Sequence, residues 1–394
     1  MSNDRQAPLI EPPRLRTEEE RHATRLELFF DLAYVLVVAE LAHSFADHLD
    51  LRGAASFAGL LVVTWWSWVT TTLYANRFDT NDVIYRIAKL AMTGAVIGMA
   101  ASAQGATGGD GARFAACYLA TRVILLLLYA RAYRHVEDAR RTIAIYLAGA
   151  GIAAVLWAIS IPVEGTARYV LWGAGILIEA AAPLVATRLG DDVPLHLDHM
   201  PERFGLFVIL VLGESIASLA TGVHDAHWSG SSVVAAAVAF TAVAAMWWVY
   251  FDLGGAAGKR QLIEESDDDE ESGVVDAYIY GHLPLIVGLA IAAVGIEQFV
   301  VHPAGELEAA GRWALHGGVA LYLIGVAVVM MGTSGRWRSA WPWPAAVIPV
   351  VAGLGFVEAL EPVLAVVSVT LVLVATVLAG IYEQRRGALR TTET

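Results

Sequence analysis

A chain of 394 residues with 57% hydrophobic and 16% charged side chains, and a mean hydropathy of +0.57, has the composition of a polytopic membrane protein rather than of soluble domains. The formal charge of −13 says little about partners, because Glu264, Glu265, Asp267, Asp268, Asp269, Glu270 and Glu271 share one stretch. No basic stripe with interleaved aromatics exists, which excludes the usual nucleic-acid footprint. A single cysteine, Cys117, excludes an intrachain disulfide and a Cys-based metal site.

Residues 1–23 carry Pro8, Pro12, Pro13 and the acids Glu18 to Glu20 without the order of a signal peptide, and read as a solvated cytoplasmic tail. About 20 mainly apolar residues cross a hydrocarbon core. On that ruler the chain predicts an all-α integral membrane fold of about twelve transmembrane helices, at 26–48, 54–75, 84–104, 112–134, 141–160, 167–188, 203–222, 231–252, 276–300, 310–331, 343–360 and 363–383. Residues 385–394 form a second tail. Connecting segments that contain Arg77, Arg86, Lys89, Arg131, Arg134, Arg140, Arg141 and Arg188 then fall on the side of the termini, and only Arg52, Arg113, Arg168 and Arg312 fall on the other. The positive-inside rule makes both termini cytoplasmic and predicts a multi-pass protein of the bacterial cytoplasmic membrane.

Residues 25–41, RLELFFDLAYVLVVAEL, can be laid on 203–219, RFGLFVILVLGESIASL, with an Arg, a Leu-Phe pair, a Leu, an Ala and a final Leu in register. Each is followed by a Trp-rich span ending in Phe-Asp, at Phe78–Asp79 and at Phe251–Asp252. Two parallel six-helix repeats are therefore expected, at 24–190 and 203–384, joined by a cytoplasmic linker at 191–202 and related by an axis along the membrane normal. The acidic cytoplasmic loop 259–273 lies within the second.

The segments ELFFDLAYV (27–35), NRFDTND (76–82) and HMPERFGLFVILVLGESI (199–216) resemble signature segments of the bacterial low temperature requirement A family, LtrA. The resemblance runs from about residue 22 to 330 and implies a multi-spanning bacterial membrane protein. It carries no set of active-site residues.

The ionisable residues inside spans carry the functional expectation, since a charge facing lipid costs about 2.5–3.5 kcal/mol on insertion scales. Glu40, Arg122, Glu179 and Glu214 fall near the middles of helices one, four, six and seven. Arg122 stays protonated and needs a counter-charge, while three acids against one Arg leave a carboxylate whose desolvation favours proton uptake. His43 shares the stripe of Glu40, and Ser218 lies one turn beyond Glu214 on a stripe that starts at Arg203, with Gly213 expected to admit another backbone. These residues form the candidate substrate and proton site. Glu27 and Asp31, one turn apart at the cytoplasmic end, are expected to meet Arg77, Asp79, Asp82, Arg86 and Lys89, and with Glu202, Arg203 and Asp252 to form an ion-pair gate.

His282 and His316 are candidates for titration near neutral pH, and Pro284 permits a kink beside the first. Glu40 and His43 have Glu-x-x-His spacing, but a di-metal bundle needs two such motifs, so neither metal nor cofactor is expected. Trp65, Trp66, Trp68, Trp247, Trp248, Trp337, Trp341 and Trp343 read as interfacial anchors. No phosphate loop, dinucleotide fingerprint or nucleophile elbow occurs, so no ordinary enzyme class is indicated. The reading that follows is a proton-coupled secondary transporter of an unidentified small solute, with the lipid bilayer as its surroundings. The alternatives are an integral membrane enzyme acting on a lipid or isoprenoid through Glu27, Asp31, Asp79 and Asp82, or a non-catalytic scaffold with 264–271 as its partner site.

Overall fold

The computed structural model describes residues 10–16, 24–191, 193, 200–255, 271–301, 308–334, 342–358 and 361–392. The acidic run 264–270 and Trp337, Trp341 and His302 lie outside them. Nearly all described residues are helical. Without water to satisfy the backbone, a spanning segment must bond to itself, and uninterrupted apolar runs of this length do so as helices.

In chain order the helices are α1 (Arg25–Ala46), α2 (Leu51–Arg77), α3 (Val83–Ala103), α4 (Gly111–His135), α5 (Arg140–Ser160), α6 (Thr166–Leu189), α7 (Met200–Asp225), α8 (Gly230–Trp248), α9 (Glu271–Val301), α10 (Ala309–Ser334), α11 (Pro342–Leu354) and α12 (Pro362–Thr392). Eleven of these are long and apolar enough to cross a membrane among the described residues. The exception is α11, expected at 343–360. It has 13 residues, and it stops where Gly355 turns back onto Ala352 and Arg312 Nε donates to the Gly355 carbonyl at 2.9 Å.

Helix starts follow local chemistry. Thr24 and Glu27 form a reciprocal capping box at the start of α1, with Glu27 Oε2 accepting from Thr24 N at 2.8 Å and Thr24 Oγ1 accepting from Glu27 N at 3.2 Å. Asp82 caps α3 by accepting from Tyr85 N at 3.0 Å, and Ser229 caps α8 by accepting from Ser232 N. Beyond Trp248 the backbone runs on as a π-helical segment, Val249–Gly255.

The chain divides into two compact units, one of residues 1–44 and 59–203, the other of residues 45–58 and 204–394. In the first, a strap precedes α1: β1 (Arg14–Leu15) pairs antiparallel with β2 (Phe78–Asp79). Arg16 closes the end of α2, donating from Nη2 to the carbonyls of Ala75 and Phe78 and from Nε to that of Asn76. Arg14 Nη2 reaches Asp79 Oδ2 at 3.2 Å. Residues 10–16, expected as part of a solvated tail, are thus held against helix ends, because the unpaired carbonyls that terminate α2 supply acceptors for a basic segment. The tryptophans also differ from expectation. Trp65, Trp66 and Trp68 sit buried in the middle of α2, where they pack the interior, while Trp247 and Trp248 stay partly exposed at the end of α8.

The second unit is dominated by the α9–α10 pair. A Cβ at Gly288 would lie 2.2 Å from Tyr322 N, one at Gly295 2.4 Å from Leu315 N, one at Gly318 2.5 Å from Ala292 N and one at Gly325 2.3 Å from Leu285 N. The glycines recur every seven residues, so one bare stripe on each helix lets the two backbones touch. Between membrane helices, where hydrophobic driving force is absent, such contact is the main source of attraction.

Candidate functional site

Arg122 lies near the middle of α4, and Glu179 near the middle of α6. Both are buried, and the guanidinium Nη1 stands 3.2 Å from Glu179 Oε1. Every arm of Arg122 is occupied: Nη1 also donates to Thr70 Oγ1 at 2.7 Å, Nη2 to Ser67 O at 3.1 Å and Ser67 Oγ at 2.6 Å, and Nε to Thr121 Oγ1 at 3.3 Å. The second carboxylate oxygen of Glu179 accepts from Tyr118 OH at 2.9 Å. Tyr34 of α1 joins through Ser67 Oγ at 2.9 Å. Four helices, α1, α2, α4 and α6, thus share one polar network around a single ion pair. A fully hydrogen-bonded pair is the arrangement that offsets the desolvation of two buried charges.

The two sides of this pair differ. Toward the α4–α5 connection lies a cavity of about 20 Å³, lined by Thr70, Leu73, Leu125, Tyr129, Tyr146, Ala150, Glu179, Ala182 and Pro183. That volume fits one water-sized molecule. Toward the α5–α6 connection the pair is covered by aromatic rings: Tyr118 stacks on Trp157 at 4.0 Å, Trp157 on Trp172 at 5.0 Å, and Phe114 packs against Trp172 at 5.7 Å.

The other members of the sequence-derived set are distributed differently. Glu40, half-buried, accepts from Gln104 Nε2 at 2.7 Å just past the end of α3, and His43 is exposed one turn further on. Both therefore stand near the end of the unit, away from the depth of Arg122. Glu214 and Ser218 are buried on α7 in the second unit. Gly213 offers no close approach, since nothing lies within 4 Å of the position of a Cβ.

At the end of the first unit where α1 begins, the acids take separate partners. Asp31 Oδ1 accepts from Arg203 Nη2 at 2.9 Å and from Trp68 Nε1 at 2.8 Å, with the Arg203 guanidinium over the Trp68 ring. The Lys89 ammonium lies 3.7 Å from the centroid of the Phe30 ring, one residue before Asp31. Asp82 pairs with Arg131 at 2.6 Å and accepts from the main chain of Tyr85 and Glu11. Burial alone pushes the Asp82 carboxyl upward, but the Arg131 hydrogen bond, these two main-chain donors and the Arg131 charge together hold it below its usual range. Asp79 meets Arg14 and Arg16, and Glu27 serves the capping box. Arg86 bonds Asn81 at 3.2 Å, whereas Arg77 lies over the Tyr146 ring at 5.1 Å. Glu202 is half-buried beside Arg203 in the chain.

In the second unit, His282 is wholly buried, with Nε2 2.9 Å from Tyr250 OH and Nδ1 2.7 Å from Tyr278 O. Tyr250 belongs to the π-helical segment, which also exposes Asp252, whose carbonyl accepts from Gln384. His316 is buried, with Nδ1 against Arg312 O at 3.0 Å. Among the described residues no three His, Cys, Asp or Glu side chains group as metal ligands would.

Sequence reasoning singled out Arg122 and Glu179 because charges at that depth are rare. It passed over Ser67, Thr70, Tyr118, Tyr34 and Tyr146, whose residue types are ordinary in membrane helices. A weak signal existed: Tyr118 and Arg122 are four residues apart, as are Glu179 and Pro183, placing each pair on one helix face.

Comparison with known proteins agrees with this architecture. The chain is 27% identical over 298 residues to an uncharacterized protein of Rhizobium meliloti (strain 1021), an alignment covering 74% of this chain and 72% of that one. Residues 22–379 match the family model described as bacterial low temperature requirement A protein, LtrA. A match of this extent, over a chain of many apolar spans, shows that the protein is a multi-pass membrane protein belonging to the LtrA family.

Proposed function

We propose that this protein is a secondary transporter of the bacterial cytoplasmic membrane that couples proton movement to that of a small solute, with both termini cytoplasmic and two parallel six-helix repeats around the path. The observation that carries the reading is the Arg122–Glu179 pair, held at mid-depth of a helical unit and bordered on one side by a small cavity that Glu179 lines. A carboxylate that balances a fixed guanidinium holds its charge while the pair is closed. Protonating it releases Arg122 and the hydroxyls that Arg122 organises, so that occupancy by a proton changes how four helices are tied. Glu214 with Ser218 in the second unit, and Glu40 with His43 in the first, are the further groups that this reading assigns to substrate and proton binding. The charged groups from Glu27 to Arg86, with Glu202, Arg203 and Asp252, act as the cytoplasmic gate, and His282 and His316 add pH-sensitive packing.

The acids that an interfacial lipid enzyme would use are engaged in other roles: Glu27 in a helix cap, Asp31 with Arg203, Asp79 with Arg14, and Asp82 with Arg131. That engagement favours the transporter reading.

The test is proton flux in proteoliposomes under an imposed pH gradient, followed with an internal pH dye, with a panel of small solutes added in turn. Wild-type protein is expected to dissipate the gradient in a solute-dependent manner, and Glu179→Gln to slow that flux at least tenfold while remaining folded. Absence of any flux with every solute, together with a silent Glu179→Gln in cells, overturns the reading.

A further inference from the structure

The cavity beside Glu179 has features that the ion pair itself does not explain. Tyr146 contributes to its wall, is only 7% exposed, and its hydroxyl has no hydrogen-bond partner among the described residues. A buried, unsatisfied hydroxyl costs about 1–3 kcal/mol of stabilisation unless something meets it.

A second polar atom faces the same problem. Pro183 lies inside α6 and has no N–H, so the carbonyl of Glu179, four residues earlier, lacks its regular helical donor. Glu179 and Pro183 both line the cavity. The largely apolar wall of this space, about 20 Å³ in volume, therefore includes one residue with an unpartnered donor, the Tyr146 hydroxyl, and one whose main-chain carbonyl lacks its helical donor, Glu179. A space roomy enough for one water molecule and provided with two or more polar partners is the kind that holds a structural water.

The position of this space gives it direction. Tyr146 stands six residues into α5 and Pro183 six residues before the end of α6, each about 9 Å from the helix terminus at 1.5 Å per residue. The guanidinium of Arg77, in the last turn of α2, covers the Tyr146 ring, and Tyr129 of α4 stacks on it at 5.5 Å. On the opposite side Glu179 meets Tyr118, and behind Tyr118 come Trp157 and Trp172 in a continuous stack.

We infer that the cavity holds one ordered water, hydrogen-bonded by Tyr146 and Glu179, through which Glu179 exchanges protons with the side of the membrane where α2 ends, while the Tyr118–Trp157–Trp172 stack closes the other side. The inference rests on the proposed role of Glu179 only for its use in transport; the water site stands on the cavity alone. The groups facing Glu179 are Arg122 and Tyr118 from α4, Thr70 from α2 and Tyr146 from α5. A proton arriving on the water passes to the carboxylate, and its departure by the same route restores the pair, so the exchange balances without any other reactant.

The test is X-ray hydroxyl-radical labelling of the full chain in lipid nanodiscs, in ¹⁸O water, with no gradient and no solute. Radicals form at bound waters, so Tyr146 is expected to be oxidised at least tenfold faster than Trp157 and Trp172, which are similarly buried. Tyr129, on the same wall, is expected to slow at least threefold in Tyr146→Phe, which keeps the ring and removes the donor. Labelling of Tyr146 as slow as that of Trp157, or an unchanged Tyr129 rate in Tyr146→Phe, overturns the inference. Proteoliposomes that move no protons while Tyr146 labels rapidly would contradict the transporter reading and support the water site.

Discussion

Arg203 Nη2 donates to Asp31 Oδ1 at 2.9 Å across 172 positions of sequence, tying the first turn of α7 to the middle of the ELFFDLAYV segment of α1. Asp31 also accepts from Trp68 Nε1, so α1, α2 and the start of α7 converge on one carboxylate. The contact is incomplete: Asp31 Oδ2 and Arg203 Nε and Nη1 are buried with no hydrogen-bond partner among the described residues.

Removing one partner of this pair leaves a buried charge uncompensated, at a cost of about 3–5 kcal/mol. Arg203→Leu and Asp31→Leu are each expected to lower the melting temperature of the detergent-solubilised protein markedly. The double variant is expected to lose less than the sum of the two, which a double-variant cycle of thermal stability measures.

Arg122 donates to three helices from a planar fork, so Lys is a poor substitute despite its charge. Arg122→Lys is expected to destabilise by several kcal/mol on the scale of broken buried pairs, because an ammonium cannot reach Ser67, Thr70 and Glu179 together. Tyr118→Phe, which removes a single neutral-to-charged hydrogen bond, is expected to lose about 1.5–3 kcal/mol. The ranking is read from denaturation midpoints in one detergent.

Asp82 provides a pH dependence whose sign follows from its environment. Its carboxyl is held below the usual range in the folded chain. The stability it adds is therefore fully present above its unfolded pKa of about 3.9 and is lost as pH falls through the lower folded value. Melting temperature measured from pH 7 down to pH 3 is expected to decline on the acid limb. The gap between wild type and Asp82→Asn is expected to narrow there, and a gap constant across the whole range would falsify this assignment.

The glycine contacts of α9 and α10 give a paired prediction. Gly318→Ala places a Cβ against the backbone of Ala292 and forces the helices apart, with an expected loss of about 1–3 kcal/mol. Gly213→Ala meets open space in a helix and is expected to gain up to about 1 kcal/mol through the reduced freedom of the unfolded chain. Both are read by thermal unfolding against wild type.

Residues 10–16 join the first unit through Arg16 and the β1–β2 pair. Arg16→Ala removes the side-chain hydrogen bonds to the carbonyls of Ala75 and Asn76 in the last turn of α2 and of Phe78 in β2, and is expected to speed limited proteolysis before Thr24, with membrane insertion unchanged.

Much of this was legible beforehand. Span positions agree to within about five residues except at α11 and at the end of α12, which was expected at 383 but runs on as helix through most of the expected tail to Thr392. The length of an apolar run is a one-dimensional property that the bilayer reads directly, while a helix can continue beyond it. Asp82 as a cap and Thr24 with Glu27 as a capping box are equally local, although the sequence reading places both acids in an ion-pair gate instead. The seven-residue glycine recurrence in α9 and α10 was also present in the sequence and marks the tightest helix contact described here, though spacing alone names no partner helix.

What the sequence determined by itself was a multi-pass helical membrane chain with rare charges at depth, since insertion energy depends only on residue type and position along a span. Only the tertiary structure decided which charges meet. Arg122 found Glu179, Asp31 found Arg203 where Arg77 and Arg86 had been expected, and Glu40 found Gln104 near a helix end. A helix fixes the face on which a side chain lies but not the neighbour to which that face turns. That choice is made by long-range packing, where a bare glycine stripe or a stacked tryptophan sets the rotation and depth of each helix.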